Sequence, residues 1–203
     1  DNNNMFGALE FSIECISNGI QPIIGTSINF LDIIYNNIPS QINFLVKNEV
    51  GYRNLLHLSS LSHTSNNNPI GIYAKDLENY SEGLICYIGG EFNPLLYLQT
   101  QNKIPSINKL IILFQRLFGD DFLFEIQRIK NQKIDQFEDS FLNYANEYKI
   151  PLIGSNNIKF ENKNDYNAHD ALLCIAQKST INQTNRIFSN PELFFKSSEE
   201  MED

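Results

Sequence analysis

Short apolar runs alternate along this chain with longer stretches in which apolar residues recur every three or four positions. Residues 22–30, carrying Ile23, Ile24, Ile28 and Phe30, and residues 42–46, carrying Ile42, Phe44, Leu45 and Val46, predict two strands bounded by polar residues. Between 49 and 62, Tyr52, Leu55, Leu56, Leu58 and Leu61 fall at helical spacing and predict an amphipathic helix. The run Thr64-Ser65-Asn66-Asn67-Asn68-Pro69 then breaks it. Residues 83–88 predict a buried strand ending in Gly89-Gly90. Residues 94–99 and 107–118 predict helices, the second stopped by Gly119. A strand at 121–126, a helix at 134–148, a strand at 151–155 and a helix at 165–176 complete the pattern. Strands separated by helices of this length predict an α/β fold with a parallel sheet, doubly wound or closed into a barrel.

Composition narrows what such a fold is for. With 15 Lys+Arg against 24 Asp+Glu the net charge is −9, which argues against a principal nucleic-acid-gripping surface, because phosphate neutralisation needs clustered cations. Charged residues are only 19% of the chain, below the roughly 25% usual for globular chains, and 28 asparagines fill the polar gap. A length of 203 residues suits one domain, predicted at 1–177, followed by a polar segment at 178–203. Cys15, Cys86 and Cys174 are odd in number and far apart, as in a reducing cytoplasm. No apolar run approaches the roughly 18 residues that span a bilayer, and Asp1-Asn2-Asn3-Asn4 does not open an export signal.

In parallel α/β folds the reactive groups sit at the carboxyl ends of strands. Here those positions read Thr26-Ser27, Gly89-Gly90, Gln127-Arg128 and Ser155-Asn156-Asn157, polar but mostly non-ionisable. The three histidines, His57, His63 and His169, lack metal-pair spacing. His63 reads as a helix-terminal residue meeting the dipole, His57 as a packing residue, and His169-Asp170 as a capping or packing pair. Cys86 and Cys174 lie in apolar runs and read as small buried hydrophobes. Gly89-Gly90 lacks the rest of a phosphate-binding fingerprint, and Asp120-Asp121 reads as a turn former. On chemistry alone the chain is an α/β domain without an identifiable catalytic constellation.

Ordered motifs say more. The opening Asp1-Asn2-Asn3-Asn4-Met5-Phe6-Gly7-Ala8-Leu9-Glu10-Phe11 and Gly19-Ile20-Gln21-Pro22-Ile23-Ile24-Gly25 are followed by Lys47-Asn48-Glu49-Val50-Gly51-Tyr52-Arg53-Asn54-Leu55 and Tyr80-Ser81-Glu82-Gly83-Leu84-Ile85. Phe118-Gly119-Asp120-Asp121-Phe122-Leu123-Phe124-Glu125-Ile126-Gln127, Ala168-His169-Asp170-Ala171-Leu172-Leu173-Cys174-Ile175 and Phe195-Lys196-Ser197-Ser198-Glu199-Glu200-Met201 complete the series. In this order they resemble the PHP (polymerase and histidinol phosphatase) domain of the bacterial replicative DNA polymerase III alpha subunit, most closely its alphaproteobacterial forms.

The resemblance implies a PHP-type distorted βα barrel of about seven strands, here lacking its first strand and helix. It also implies a fragment of a DNA-directed DNA polymerase, a nucleotidyltransferase of DNA replication, whose catalytic carboxylates and Mg²⁺ belong to the parent and not to this segment. Metal-competent members hold ions with His, Asp, Glu and Cys. The matching positions here are Asp1, Asn2, Ser27, His63, Asn157 and Lys159, of which only Asp1 and His63 keep ligand chemistry, while Ile129 replaces a further His. Lys159 brings a cation to where a cation would bind. The expectation is a degenerate, non-catalytic structural domain with no metal, cofactor or catalytic residue of its own. The implied partners are the polymerase core of the parent chain, toward which 178–203 would lead, and other replicase subunits including the proofreading exonuclease. DNA would be reached through the parent, and no membrane is involved. The rival readings are an active metal-dependent phosphoesterase or 3′→5′ exonuclease, and a stand-alone α/β protein of unrelated role. Loss of the first strand further predicts an open apolar edge along 22–30.

Overall fold

A computed structural model describes residues 1–65 and 67–202, so Asn66 of the predicted breaker and Asp203 of the polar tail lie outside the described residues. The elements run α1 Ala8–Ser17, β1 Gly25–Tyr35, β2 Ile38–Val46, α2 Glu49–Thr64, α3 Ala74–Tyr80, β3 Leu84–Gly89, α4 Pro94–Thr100 and α5 Ile104–Phe118. They continue with β4 Phe122–Ile126, α6 Gln132–Tyr148, β5 Leu152–Gly154, α7 Tyr166–Gln177 and α8 Ser198–Glu202. The α/β class read from the sequence holds. Among the described residues the strands form one open sheet, in the order β1-β2-β3-β4-β5, and not a closed barrel. The chain divides into two compact units. Unit 1 is Asp1–Glu125 with Asp139–Ile153, and unit 2 is Ile126–Glu138 with Gly154–Asp203.

The predicted parallel sheet is corrected to a mixed one. β1 and β2 form an antiparallel hairpin closed at Tyr35↔Ile38, β2 and β3 are antiparallel, and β3 and β4 are parallel. The hairpin turn is Asn36-Asn37, at φ 51° and 63°. Two successive left-handed residues make the turn whose twist matches paired strands, and asparagine tolerates that region better than most residues. The first strand therefore runs past Phe30 to the turn.

The open edge predicted along β1 is also corrected. Ser27 donates its N–H to the Asp1 carbonyl (3.2 Å) and accepts from Asn3 N–H (2.7 Å). Asn29 N–H donates to Asn3 Oδ1 (2.8 Å). Leu31 N–H donates to the Ile72 carbonyl, and Ile72 N–H to the Asn29 carbonyl, both at 2.9 Å. Residues 1–3 and 70–72 thus occupy the edge from Ser27 to Leu31 as short parallel bridges. Apolar exposure lies elsewhere in unit 1, on α1, which buries none of its residues and leaves Leu9 at 71% and Ile16 at 67% exposed.

Aromatic side chains fill the core of unit 1. Phe114 on α5 packs against Phe30 (5.7 Å between centroids), Phe118 (6.1 Å) and Phe122 (5.3 Å), and Phe124 stacks on Phe141 at 4.3 Å. Phe30, Phe114, Phe122 and Phe124 are fully buried or within 1% of it. Two of the motif segments meet here through glycine. A Cβ on Gly51 would fall 1.8 Å from the Gly83 carbonyl, and Gly83 itself sits at φ +73°, so the start of α2 closes against the turn before β3 only with hydrogen at both positions. Asn48 caps α2 by accepting from Gly51 N–H (3.0 Å), and Asn54 Nδ2 donates to the Glu82 carbonyl (2.8 Å).

Unit 2 is bound differently. Arg186 makes a two-pronged pair with Asp170 of α7, Nη1 to Oδ1 at 2.8 Å and Nη2 to Oδ2 at 2.7 Å, with the two side chains 3% and 11% exposed. Asp170 Oδ1 also accepts from Ser189 N–H (2.9 Å), and Gln177 exchanges two hydrogen bonds with the backbone of Ile187. The guanidinium lies 3.9 Å from the Phe188 ring centre.

Candidate functional site

The positions singled out in the sequence divide between the two units. In unit 1, Asp1, Asn2, Ser27 and His63 gather at the β1 edge. Asn2 bridges Ser27 in parallel, Thr26 Oγ1 donates to the Asp1 carbonyl (3.1 Å), and the Asp1 carboxylate accepts from Gly7 N–H (3.0 Å). Ser27 Oγ donates to Asn43 Oδ1 at 2.5 Å. His63, in the last turn of α2, has Nε2 2.6 Å from the Asn3 carbonyl. A carbonyl can only accept, so Nε2 carries the proton and has no lone pair to offer. His63 therefore tethers the amino-terminal segment to α2, a more specific role than the dipole contact read from its helix-terminal position.

In unit 2, Asn157 and Lys159 are both exposed and belong to the stretch after β5. Lys159 uses its backbone N–H on the Leu193 carbonyl (2.8 Å). Ile129, where the resembled family often has a His, is buried at 7% exposure. The set does not fit a divalent cation. Its members in unit 1 offer a single carboxylate, a hydroxyl donating to an amide, and one imidazole, whose Nε2 faces the Asn3 carbonyl. Those in unit 2 are a neutral amide and an ammonium. Among the described residues no three His, Cys, Asp or Glu side chains come together as a possible metal site.

Other ionisable groups have structural causes for their behaviour. Burial pushes the Cys86 thiol well up, and burial together with nearby Glu125 pushes the Tyr87 phenol up to about 12, so neither supplies an anion at neutral pH. The hydrogen bonds from Arg186 and from Ser189 N–H hold Asp170 down at about 2. His169 Nδ1 lies 2.6 Å from Ser189 Oγ, and His57 stacks on Tyr80 at 5.3 Å, both as packing residues.

Sequence reading passed over one feature of unit 2. The ends of β4 and β5 open on a cavity of about 550 Å³, lined among others by Arg128, Lys130, Lys163, Lys196, Asn156 and Glu192. Arg128 and Asn156 were visible as strand-end residues. Their companions come from three separated stretches, and no spacing in the sequence joins them.

The description "PHP domain" is that of the family profile matching residues 1–129. Proteins named DNA polymerase III subunit alpha are similar across 99% of this chain. The protein of Rickettsia bellii is 35% identical over 207 residues, that of Caulobacter vibrioides 35% over 210, and that of Borreliella burgdorferi 35% over 223. The chain spans 17–18% of the length of these relatives. No described helix is long and apolar enough to cross a membrane.

Proposed function

The chain belongs to the PHP domain family, and from that premise we propose that it is a non-hydrolytic structural segment of a DNA polymerase III alpha subunit acting in DNA replication. The observation that carries the reading is similarity across 99% of this chain to proteins of that name, joined to a ligand set in which only Asp1 and His63 keep ligand chemistry. Nucleotidyl transfer, and the Mg²⁺ that serves it, belong to the remainder of the parent subunit. This segment contributes a folded support in the cytoplasm, bound to that remainder and to other replicase subunits, the proofreading exonuclease among them. The chemistry of the segment is consistent with this role. Four of its six family positions are neutral amides, a hydroxyl and an ammonium, and one carboxylate with one imidazole is too small a set to hold a metal that would activate water or stabilise a leaving phosphate oxygen.

The test is to incubate the purified chain with end-labelled primer-template, all four deoxynucleoside triphosphates and, in separate reactions, Mg²⁺, Mn²⁺ and Zn²⁺. The primer stays at its starting length in every reaction. Shortening that copurifies with the chain through successive columns would overturn the non-hydrolytic assignment.

A further inference from the structure

Helix α1 is well terminated and yet buries none of its residues. Gly19, at φ 70°, turns the chain so that Ile20 N–H reaches the Cys15 carbonyl (2.8 Å) and Gly19 N–H the Ile16 carbonyl (3.0 Å), which closes the carboxyl end. Ser17 Oγ and Asn18 Nδ2 both donate to the Glu14 carbonyl (2.8 and 2.9 Å). Ala8, Ser12 and Cys15, all small, form the half-buried face of the helix. Leu9, Ile13 and Ile16, at i, i+4 and i+7, form another face and are 71%, 59% and 67% exposed. The large apolar side chains thus point outward, the reverse of an ordinary surface helix. Helices shorter than roughly 12–15 residues are marginal on their own and draw their stability from packing of an apolar stripe. In the ten-residue α1 that stripe has no cover among the described residues.

Charge says what kind of surface covers it. Residues 1–46 contain no Lys, Arg or His, and four acids, Asp1, Glu10, Glu14 and Asp32. Asp1 accepts from Gly7 N–H, and Asp32 from Ala74 N–H at 2.6 Å. Glu10 and Glu14 lie one turn apart on the face beside the stripe; Glu14 meets only the Asn18 amide (3.3 Å), and neither has a basic partner among the described residues. The first cation along the chain, Lys47, is paired with Asp121 at 2.8 Å. Stripe against stripe in a two-fold pair of this chain would gather four carboxylates with no cation between them, and an anionic lipid surface would repel them. A helix with an apolar stripe and Lys or Arg beside it meets both needs, since its side-chain ridges fit the i, i+4 rows of α1 and its cations reach Glu10 and Glu14. We propose that the outward face of α1 is a docking surface for such a basic amphipathic helix of a partner protein. At about 15 Å long, the contact belongs to the small, transient class. The site goes beyond the supporting role proposed above and does not depend on it.

Titration of the 203-residue chain with a synthetic helical Leu/Ala/Lys peptide, at low and at physiological salt, tests this. Controls are the same peptide with Glu in place of Lys and the Lys peptide in scrambled order, which has no apolar face. The Lys peptide should bind, weaken as salt rises, and slow hydrogen exchange at the amides of α1. Its affinity should fall on the order of tenfold in the Glu10→Lys, Glu14→Lys double variant, and by as much in Leu9→Gln, Ile13→Gln. Urea unfolding of both variants should match the parent, since all four side chains are exposed. Absence of binding at low salt, equal binding of the Glu or scrambled peptide, unchanged affinity in either variant, or slowed exchange confined to other elements would each overturn the proposal. So would a dimer in light scattering that Leu9→Gln, Ile13→Gln dissolves, because the face would then serve a second copy of the chain.

Discussion

Rings hold unit 1, and hydrogen-bonded polar groups hold unit 2. In the first, Phe30, Phe114, Phe118 and Phe122 interlock behind the sheet. In the second, Asp170 gathers Arg186 and Ser189, Asn156 gathers the Glu192 and Phe194 carbonyls, and Asn190 Nδ2 reaches the Ile129 carbonyl at 2.6 Å. The difference has an energetic meaning. Apolar burial is non-directional and tolerates small shifts, whereas each bond in unit 2 is worth little net but leaves an unsatisfied buried group if its partner is lost. Unit 1 should therefore respond to volume and unit 2 to charge and hydrogen-bond geometry.

The largest effect is expected from Phe114→Ala, which empties the middle of the ring cluster. Loss of a fully buried phenylalanine costs about 3–5 kcal/mol. Urea unfolding should show that loss, and a cost below about 1 kcal/mol would place the centre of the core elsewhere.

Asp170→Ala should act next, and locally. It strands the buried Arg186 guanidinium, so amide hydrogen exchange should quicken at Ser189 and Ile187 while amides of β2 and β3 keep their protection. Uniform quickening across both units would break the comparison. The same carboxylate gives unit 2 a pH response. Its folded pKa of about 2 lies below the ordinary carboxylate value, so the unfolded chain binds the proton more readily. The stabilisation is complete above the ordinary value and drains away as pH falls from about 4 toward 2. Asp170→Asn should remove that step from the acid unfolding curve of unit 2.

These contrasts also govern what could be read in advance. The helices α2, α5, α6 and α7 were legible because apolar periodicity and caps are local signals, and Gly119 ends α5 as read. The hairpin at Asn36-Asn37 was not, because in a chain with 28 asparagines two adjacent ones do not stand out as a turn. α1 escaped as well. Its apolar residues Leu9, Ile13 and Ile16 fall at i, i+4 and i+7, so the helical period was there to read, although the helix buries none of its residues. The family positions Asp1, Asn2, Ser27, His63, Asn157 and Lys159 rest on ordered motifs alone, since nothing in their spacing marks a site. The cavity of unit 2, lined by charges of both signs, stayed hidden because its side chains meet only after the segments near 130, 156, 163 and 195 fold together.

Asn156→Ala should cost about 1–3 kcal/mol, through two backbone carbonyls left without their donor. Faster exchange at the amides of Lys159 and Phe195, which bond the neighbouring backbone, is the readout. Asn48→Ala should cost about 1 kcal/mol by uncapping α2, seen as a small shift of the urea midpoint with unchanged slope. If Asn48→Ala proved the costlier of the two, the contrast between the units would fail.

The proposed loss of a hydrolytic metal site from this PHP domain is tested most directly by its metal content. Purified chain equilibrated with Zn²⁺, Mn²⁺ and Mg²⁺ and then dialysed against metal-free buffer should carry only trace metal by elemental analysis, because Asp1 and His63 are the two family positions left with ligand chemistry and the remaining ones are amides, a hydroxyl and an ammonium. One or more Zn²⁺ or Mn²⁺ ions retained per chain would contradict it.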